Sequence, residues 1–115
     1  MTATHARPLA CDLTVLTPEE RGRHAQLWSH LRTLAPLPTP TSHGLTFSFE
    51  SSTPLAQDLA ELAALELRCC PFLQISIRFE PAGGPLSFEL GGDEQVHAFL
   101  EAGFKTSELP KRENG

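Results

Sequence analysis

Phe72-Leu73-Gln74-Ile75-Ser76-Ile77-Arg78-Phe79-Glu80-Pro81-Ala82-Gly83-Gly84-Pro85-Leu86-Ser87-Phe88-Glu89-Leu90 is the stretch that decides the fold. Leu73, Ile75, Ile77 and Phe79 alternate with Gln74, Ser76, Arg78 and Glu80, the period of two that gives a strand one buried face. Pro81 to Pro85 has the composition of a turn. Leu86, Phe88 and Leu90 resume the alternation, so the segment predicts a β-hairpin. Further upstream, Leu45, Phe47 and Phe49 alternate with Thr46, Ser48 and Glu50, which predicts another strand of the same kind. Leu9-Ala10-Cys11-Asp12-Leu13, running on towards Leu16, is the remaining strand candidate.

Helical patterns separate these strands. Thr17-Pro18-Glu19-Glu20 forms a capping box, with Thr17 as N-cap, Pro18 at the first helical position and Glu20 closing the box. Leu27, Trp28, Leu31 and Leu34 then form one apolar stripe. Pro36, Pro38 and Pro40 end that helix and make an extended connector to His43-Gly44. Thr53-Pro54 opens a second helix by the same logic, and its inner stripe is Leu55, Leu59 and Leu62, with Leu65 at the edge. Pro71 disfavours helical backbone at Cys70, so this helix should end near Cys69. Asp93 caps a last helix whose inner face carries Val96, Phe99 and Leu100.

The expected order is thus β-α-β-α-β-β-α. Clean alternation means one apolar and one polar sheet face, whereas a parallel sheet covered on both sides has continuous apolar strands. The fold expected is α+β, a two-layer sandwich with a mixed four-stranded sheet and helices mainly on one face. A thioredoxin-like sheet has the same element order and is the alternative, although it needs apolar residues on both faces.

The 115 residues fit one domain, with an ordered core over about 9–104 and a polar tail over 105–115. A net charge of −5 without a Lys/Arg cluster disfavours nucleic acid or an anionic membrane as partner. No apolar run is long enough to span a bilayer, and Met1 to Pro8 lacks the apolar region of a secretory signal. Three cysteines, an odd number, do not make a disulfide scaffold and favour a reducing compartment, so a cytoplasmic location is expected.

Chemistry concentrates at Glu66-Leu67-Arg68-Cys69-Cys70-Pro71-Phe72. The stripe through Leu55, Leu59 and Leu62 continues in phase to Glu66, and then to Cys69 and Cys70 at i+3 and i+4. A carboxylate therefore replaces an apolar residue at the helix end and faces two thiols. A Cys69–Cys70 disulfide is disfavoured, because adjacent Cα atoms lie about 3.8 Å apart against a usual disulfide range of roughly 4.4–6.8 Å. Neighbouring thiols instead suit a soft ion. Cys11 joins them if its strand abuts the start of the third strand. At a helix C-terminus the dipole raises a thiol pKa, and Glu66 acts in the same direction. A bound metal deprotonates a thiol outright, so chelation is favoured over an activated nucleophile. Buried, inert cysteines are the plain alternative.

Other candidates are weaker. Gly91-Gly92-Asp93-Glu94 fits a helix start. His24 and His97 are expected on helix surfaces, and none of His5, His24, His30, His43 and His97 has zinc-finger spacing to a cysteine. Arg21 and Arg23 read as a solvated face, with Arg23 able to pair with Glu66 across the layer. No P-loop, Rossmann fingerprint or nucleophile elbow occurs, and no organic cofactor is expected.

Glu66-x-x-Cys69-Cys70-Pro71-Phe72-Leu73, with Gly83-Gly84-Pro85-Leu86 and Leu9-Ala10-Cys11-x-Leu13, resembles a family of small uncharacterised bacterial proteins sharing a Glu-x-x-Cys-Cys-Pro-Phe signature. The resemblance runs from about Leu9 to Phe104 and takes in Arg23, Leu27 and Leu31. A longer stretch between Cys11 and the first helix departs from that pattern. The resemblance implies that all three cysteines belong to one pattern.

The expected function is binding of a soft metal or metalloid ion by Cys69 and Cys70, with Cys11 as third ligand and Glu66 as accessory ligand. Mercury, arsenite, copper(I) and zinc are the candidate ions. The alternatives are a thiol–disulfide or detoxification enzyme acting on a small thiol-reactive species, and an interaction module with inert cysteines.

Overall fold

The computed structural model describes residues 9–35 and 37–104. The tail expected from Lys105, the N-terminal residues Met1 to Pro8 and Pro36 of the connector lie outside the described residues. The order is a short 3-10 turn Leu13–Val15, α1 Pro18–Leu34, β1 Thr39–Pro40, β2 Gly44–Phe49, α2 Thr53–Cys69, β3 Gln74–Phe79, β4 Leu86–Gly91 and α3 Glu94–Gly103. This is the expected α+β fold, with three helices and a four-stranded sheet.

The strands lie in the order β1-β2-β4-β3. All three pairings are antiparallel, with Leu45 opposite Leu90, Ile75 opposite Leu90, and Phe47 and Ile77 flanking Phe88. This register puts Leu45, Phe47, Phe49, Ile75, Ile77, Leu86, Phe88 and Leu90 on one face. Thr46, Ser48, Ser76, Arg78, Ser87 and Glu89 share the other face, since residues two apart point the same way. The alternation anticipated this division. It removes the thioredoxin-like alternative, which requires two apolar faces. α3 packs against β2 and β4, and α1 packs against α2. Phe47, Phe88, Leu59 and Leu62 form part of a fully buried core.

The first strand is not where the sequence placed it. Leu9 to Leu13 pairs with no strand, and the fourth strand is instead the two-residue β1 in the proline-rich connector. Among the described residues the parallel pairing of a mixed sheet is absent with it. The physical cause is local. The Asp12 carboxylate accepts hydrogen bonds from the Thr14 N–H (3.0 Å) and hydroxyl (2.5 Å), and Leu13–Val15 closes a 3-10 turn. Such side-chain-to-backbone bonds compete with extended structure.

The caps largely follow expectation. Thr17 and Glu20 form the capping box of α1, and Asp93 accepts from the Val96 N–H at the start of α3. At α2 the cap shifts by one residue: Ser52, not Thr53, accepts from the Leu55 N–H. Leu34 is half exposed rather than part of the inner stripe of α1. In the β3–β4 turn, Ala82 (φ 58°) and Gly83 (φ 74°) both adopt left-handed backbone. Among the described residues, no helix is long and apolar enough to cross a membrane.

Candidate thiol and metal centre

The helical phase of α2 builds one half of the site. Leu55, Leu59, Leu62, Leu65, Glu66 and Cys69 are its buried residues, so the carboxylate and the thiol point into the protein as the stripe required. The Glu66 side chain is 7% exposed. A carboxylate buried to this degree needs partners. α1 supplies them. His24 Nε2 lies 2.6 Å from Glu66 Oε2, and Trp28 Nε1 donates to the same oxygen at 2.6 Å. His24 and Trp28 stand four residues apart and therefore share one face of α1. The indole also packs against Phe47, Phe88 and Phe104, which fixes its position.

The segment before α1 builds the other half. The Asp12 N–H donates to the Cys69 carbonyl at 2.8 Å, satisfying one of the carbonyls that a helix C-terminus leaves open. Arg68 donates to Glu20 (2.6 Å) and to the Val15 carbonyl (3.2 Å), while Arg21 donates to the Leu16 carbonyl (2.7 Å). These contacts hold residues 12–16 over the end of α2 and bring Cys11 to it.

Cys11 and Cys70 are joined by a disulfide, with Cα atoms 4.6 Å apart. The sequence reading expected free thiols on the ground that three cysteines make no scaffold. That argument excludes a framework of several bridges but not a single bridge. The expected proximity of Cys11 to the adjacent pair holds. Cys69 remains a free, buried thiol, and its sulfur lies 3.7 Å from that of Cys70.

Two groups of donors overlap here. The ligating atoms of Cys11, Glu66 and Cys70 lie within 4.8 Å of one another, and so do those of His24, Glu66 and Cys69. The electrostatics oppose a bare thiolate: burial pushes the Cys69 thiol up, the Glu66 carboxylate pushes it the same way, and Arg68 offsets this only in part. Beside the site, a cleft of about 430 Å³ is lined by residues including Leu9, Asp12, Arg68, Cys69 and Phe72.

His24 is the residue the sequence reading missed. It was expected in solvent, yet its side chain is 14% exposed and bonded to Glu66. The signal was available, because His24 precedes Leu27, Trp28 and Leu31 at helical spacing on the buried stripe. Arg23 does not pair with Glu66. It pairs instead with Glu61 (2.8 Å) and Asp58 (3.4 Å) on the outer side of α2. His97 sits on α3, 3.3 Å from Glu101.

Comparison with protein-family models, with curated proteins and with solved structures finds no match to this chain.

Proposed function

We propose that the reduced chain binds a soft metal or metalloid ion through Cys11, Cys69 and Cys70, with Glu66 as accessory ligand. The observation that carries this reading is the convergence of all three sulfurs at one point. Two of them are within bonding distance of each other, the third lies 3.7 Å from Cys70, and a buried carboxylate stands beside them. Thiolate is the preferred donor for soft ions, and mercury, arsenite, copper(I) and zinc all fall within its range. Burial and the Glu66 charge hold Cys69 protonated, and an incoming ion reverses this by displacing the proton. The disulfide is then the closed form of the site, and a reducing compartment such as the cytoplasm would keep it open.

The test is a titration of the protein after reduction and removal of the reductant under argon. Mercury(II), copper(I) and arsenite are added in turn, and thiolate charge-transfer absorbance is followed. The paired substitution Cys69→Ser and Cys70→Ser should abolish binding while the reduced chain still folds, as circular dichroism would report. Equal binding by that variant and the wild type rejects the reading.

One observation favours a second reading. A free thiol beside a disulfide is the starting arrangement for thiol–disulfide exchange. In that case a small thiol would attack the sulfur of Cys11, an exposed residue, and Cys70 would leave as thiolate. Reversible loss of two thiols, coupled to reduction of a model disulfide faster than a free thiol achieves, would select this reading over pure ion binding.

A further inference from the structure

Glu66 is shared by two donor sets, and they respond differently to oxidation. The set with Cys11 and Cys70 is consumed by the disulfide, because neither bonded sulfur can become a thiolate. The set with His24 and Cys69 keeps its imidazole, its carboxylate and the one remaining thiol. We infer that His24, Glu66 and Cys69 form a second metal site, for a borderline divalent cation of the zinc type, that stays available while Cys11 and Cys70 are joined. It shares two residues with the site proposed above but needs neither Cys11 nor Cys70.

The donor chemistry selects the cation. Nitrogen, oxygen and sulfur donors together are the set zinc takes, at about 2.0–2.2 Å for nitrogen and oxygen and about 2.3 Å for sulfur. Donors around one tetrahedral ion at those lengths lie about 3–4 Å apart. All three ligating atoms lie within 4.8 Å of one another, and the 2.6 Å contact between His24 and Glu66 has only to open slightly. Charge matches as well. A carboxylate and a thiolate neutralise a divalent ion, which removes the cost of leaving net charge in a site whose donors are buried or nearly so. On binding, the Cys69 thiol passes its proton to solvent as the metal–sulfur bond forms, the proton held between His24 Nε2 and Glu66 leaves that nitrogen for Nδ1 or for solvent, and no electrons change hands.

The surroundings meet two further requirements of a metal site. Trp28 Nε1 donates to Glu66 Oε2, a contact that orients a ligating carboxylate from outside the coordination shell. The cleft that Cys69 helps to line brings solvent to the edge of the site. Two of the donors come from one turn of α2, Glu66 and Cys69 at i and i+3, and the third comes from the facing side of α1.

Cobalt(II) is the probe, because its d–d and thiolate charge-transfer bands report geometry and sulfur ligation. The disulfide-bonded protein, verified to hold one free thiol per chain, should take up one equivalent with a single-thiolate band. Zinc should displace it. Cys69→Ser and His24→Gln, the latter keeping a hydrogen bond to Glu66, each remove a ligand and should weaken uptake by more than the about 10–100-fold that loss of an outer-shell partner costs. The paired Cys11→Ser and Cys70→Ser variant should retain it. An oxidised wild-type protein without the thiolate band overturns the inference, and so does uptake unchanged in folded His24→Gln. Soft-ion binding by the reduced chain depends on Cys11 and is scored separately, so failure of either site is distinguishable from failure of the other.

Discussion

Replacing Cys11 with serine should remove most of the stability that separates the oxidised chain from the reduced one. The bridge to Cys70 spans 59 residues of sequence and encloses α1, β1, β2 and α2. In the chain-entropy account, closing a 15-residue loop restricts the unfolded state by about 3 kcal/mol and a 100-residue loop by about 4.7 kcal/mol. A loop of this length falls between them, at about 4 kcal/mol. Cys11 is exposed, so serine loses little packing there. Urea denaturation without reductant should therefore show Cys11→Ser less stable than the wild type by about 4 kcal/mol, a large share of a small domain's total. With a phosphine reductant present, the two proteins should unfold at nearly the same midpoint. Equal stability without reductant would refute the bridge as a fixed element of the oxidised fold.

Leu62, fully buried under the sheet, should cost about 2–5 kcal/mol when changed to alanine; a loss under about 1 kcal/mol by chemical denaturation would contradict the phase of α2 that aims Glu66 inward. Trp28→Phe should cost about 1–3 kcal/mol, because it leaves the buried Glu66 carboxylate short of a donor, and a neutral result would mean that water replaces the indole. The Cys69 thiol is held above its ordinary pKa by burial and then by Glu66, so its contribution to stability is full below the unfolded-state pKa. That contribution is lost as pH rises through the folded one, and iodoacetamide should accordingly label native Cys69 more slowly than the unfolded chain at mildly alkaline pH. Ala82→Gly should raise stability by up to about 1 kcal/mol, since alanine there adopts φ 58°; a loss on thermal unfolding would argue against a left-handed turn.

The hairpin and the aim of Glu66 were legible because each follows from a local period. Two fixes the faces of β3 and β4, and 3.6 carries the inner stripe of α2 to its last turn. The approach of Cys11 was legible only as proximity. Its position depends on the Asp12 turn and on the bond from the Asp12 N–H to the Cys69 carbonyl, a contact between distant parts of the chain that no spacing encodes. The same turn accompanies the loss of the strand expected at Leu9–Leu13, and the fourth strand of the sheet is Thr39–Pro40. His24 was misassigned for another reason. A polar residue in phase with a buried stripe is ambiguous until its partner is known, and that partner is a carboxylate on a different helix. Phe79 belongs by alternation to the apolar face, yet it is 63% exposed, because β3 is an edge strand and Phe79 is its last residue.

Trp28 is the single tryptophan of a chain that has no tyrosine, and its indole nitrogen is bonded to the carboxylate at the centre of the site. Intrinsic fluorescence therefore has one source, within one hydrogen bond of Glu66. Reduction of the bridge or entry of an ion would each alter the field or the quenchers around that ring. Emission can thus follow the state of the centre in real time without an attached dye, provided that unfolding is monitored separately.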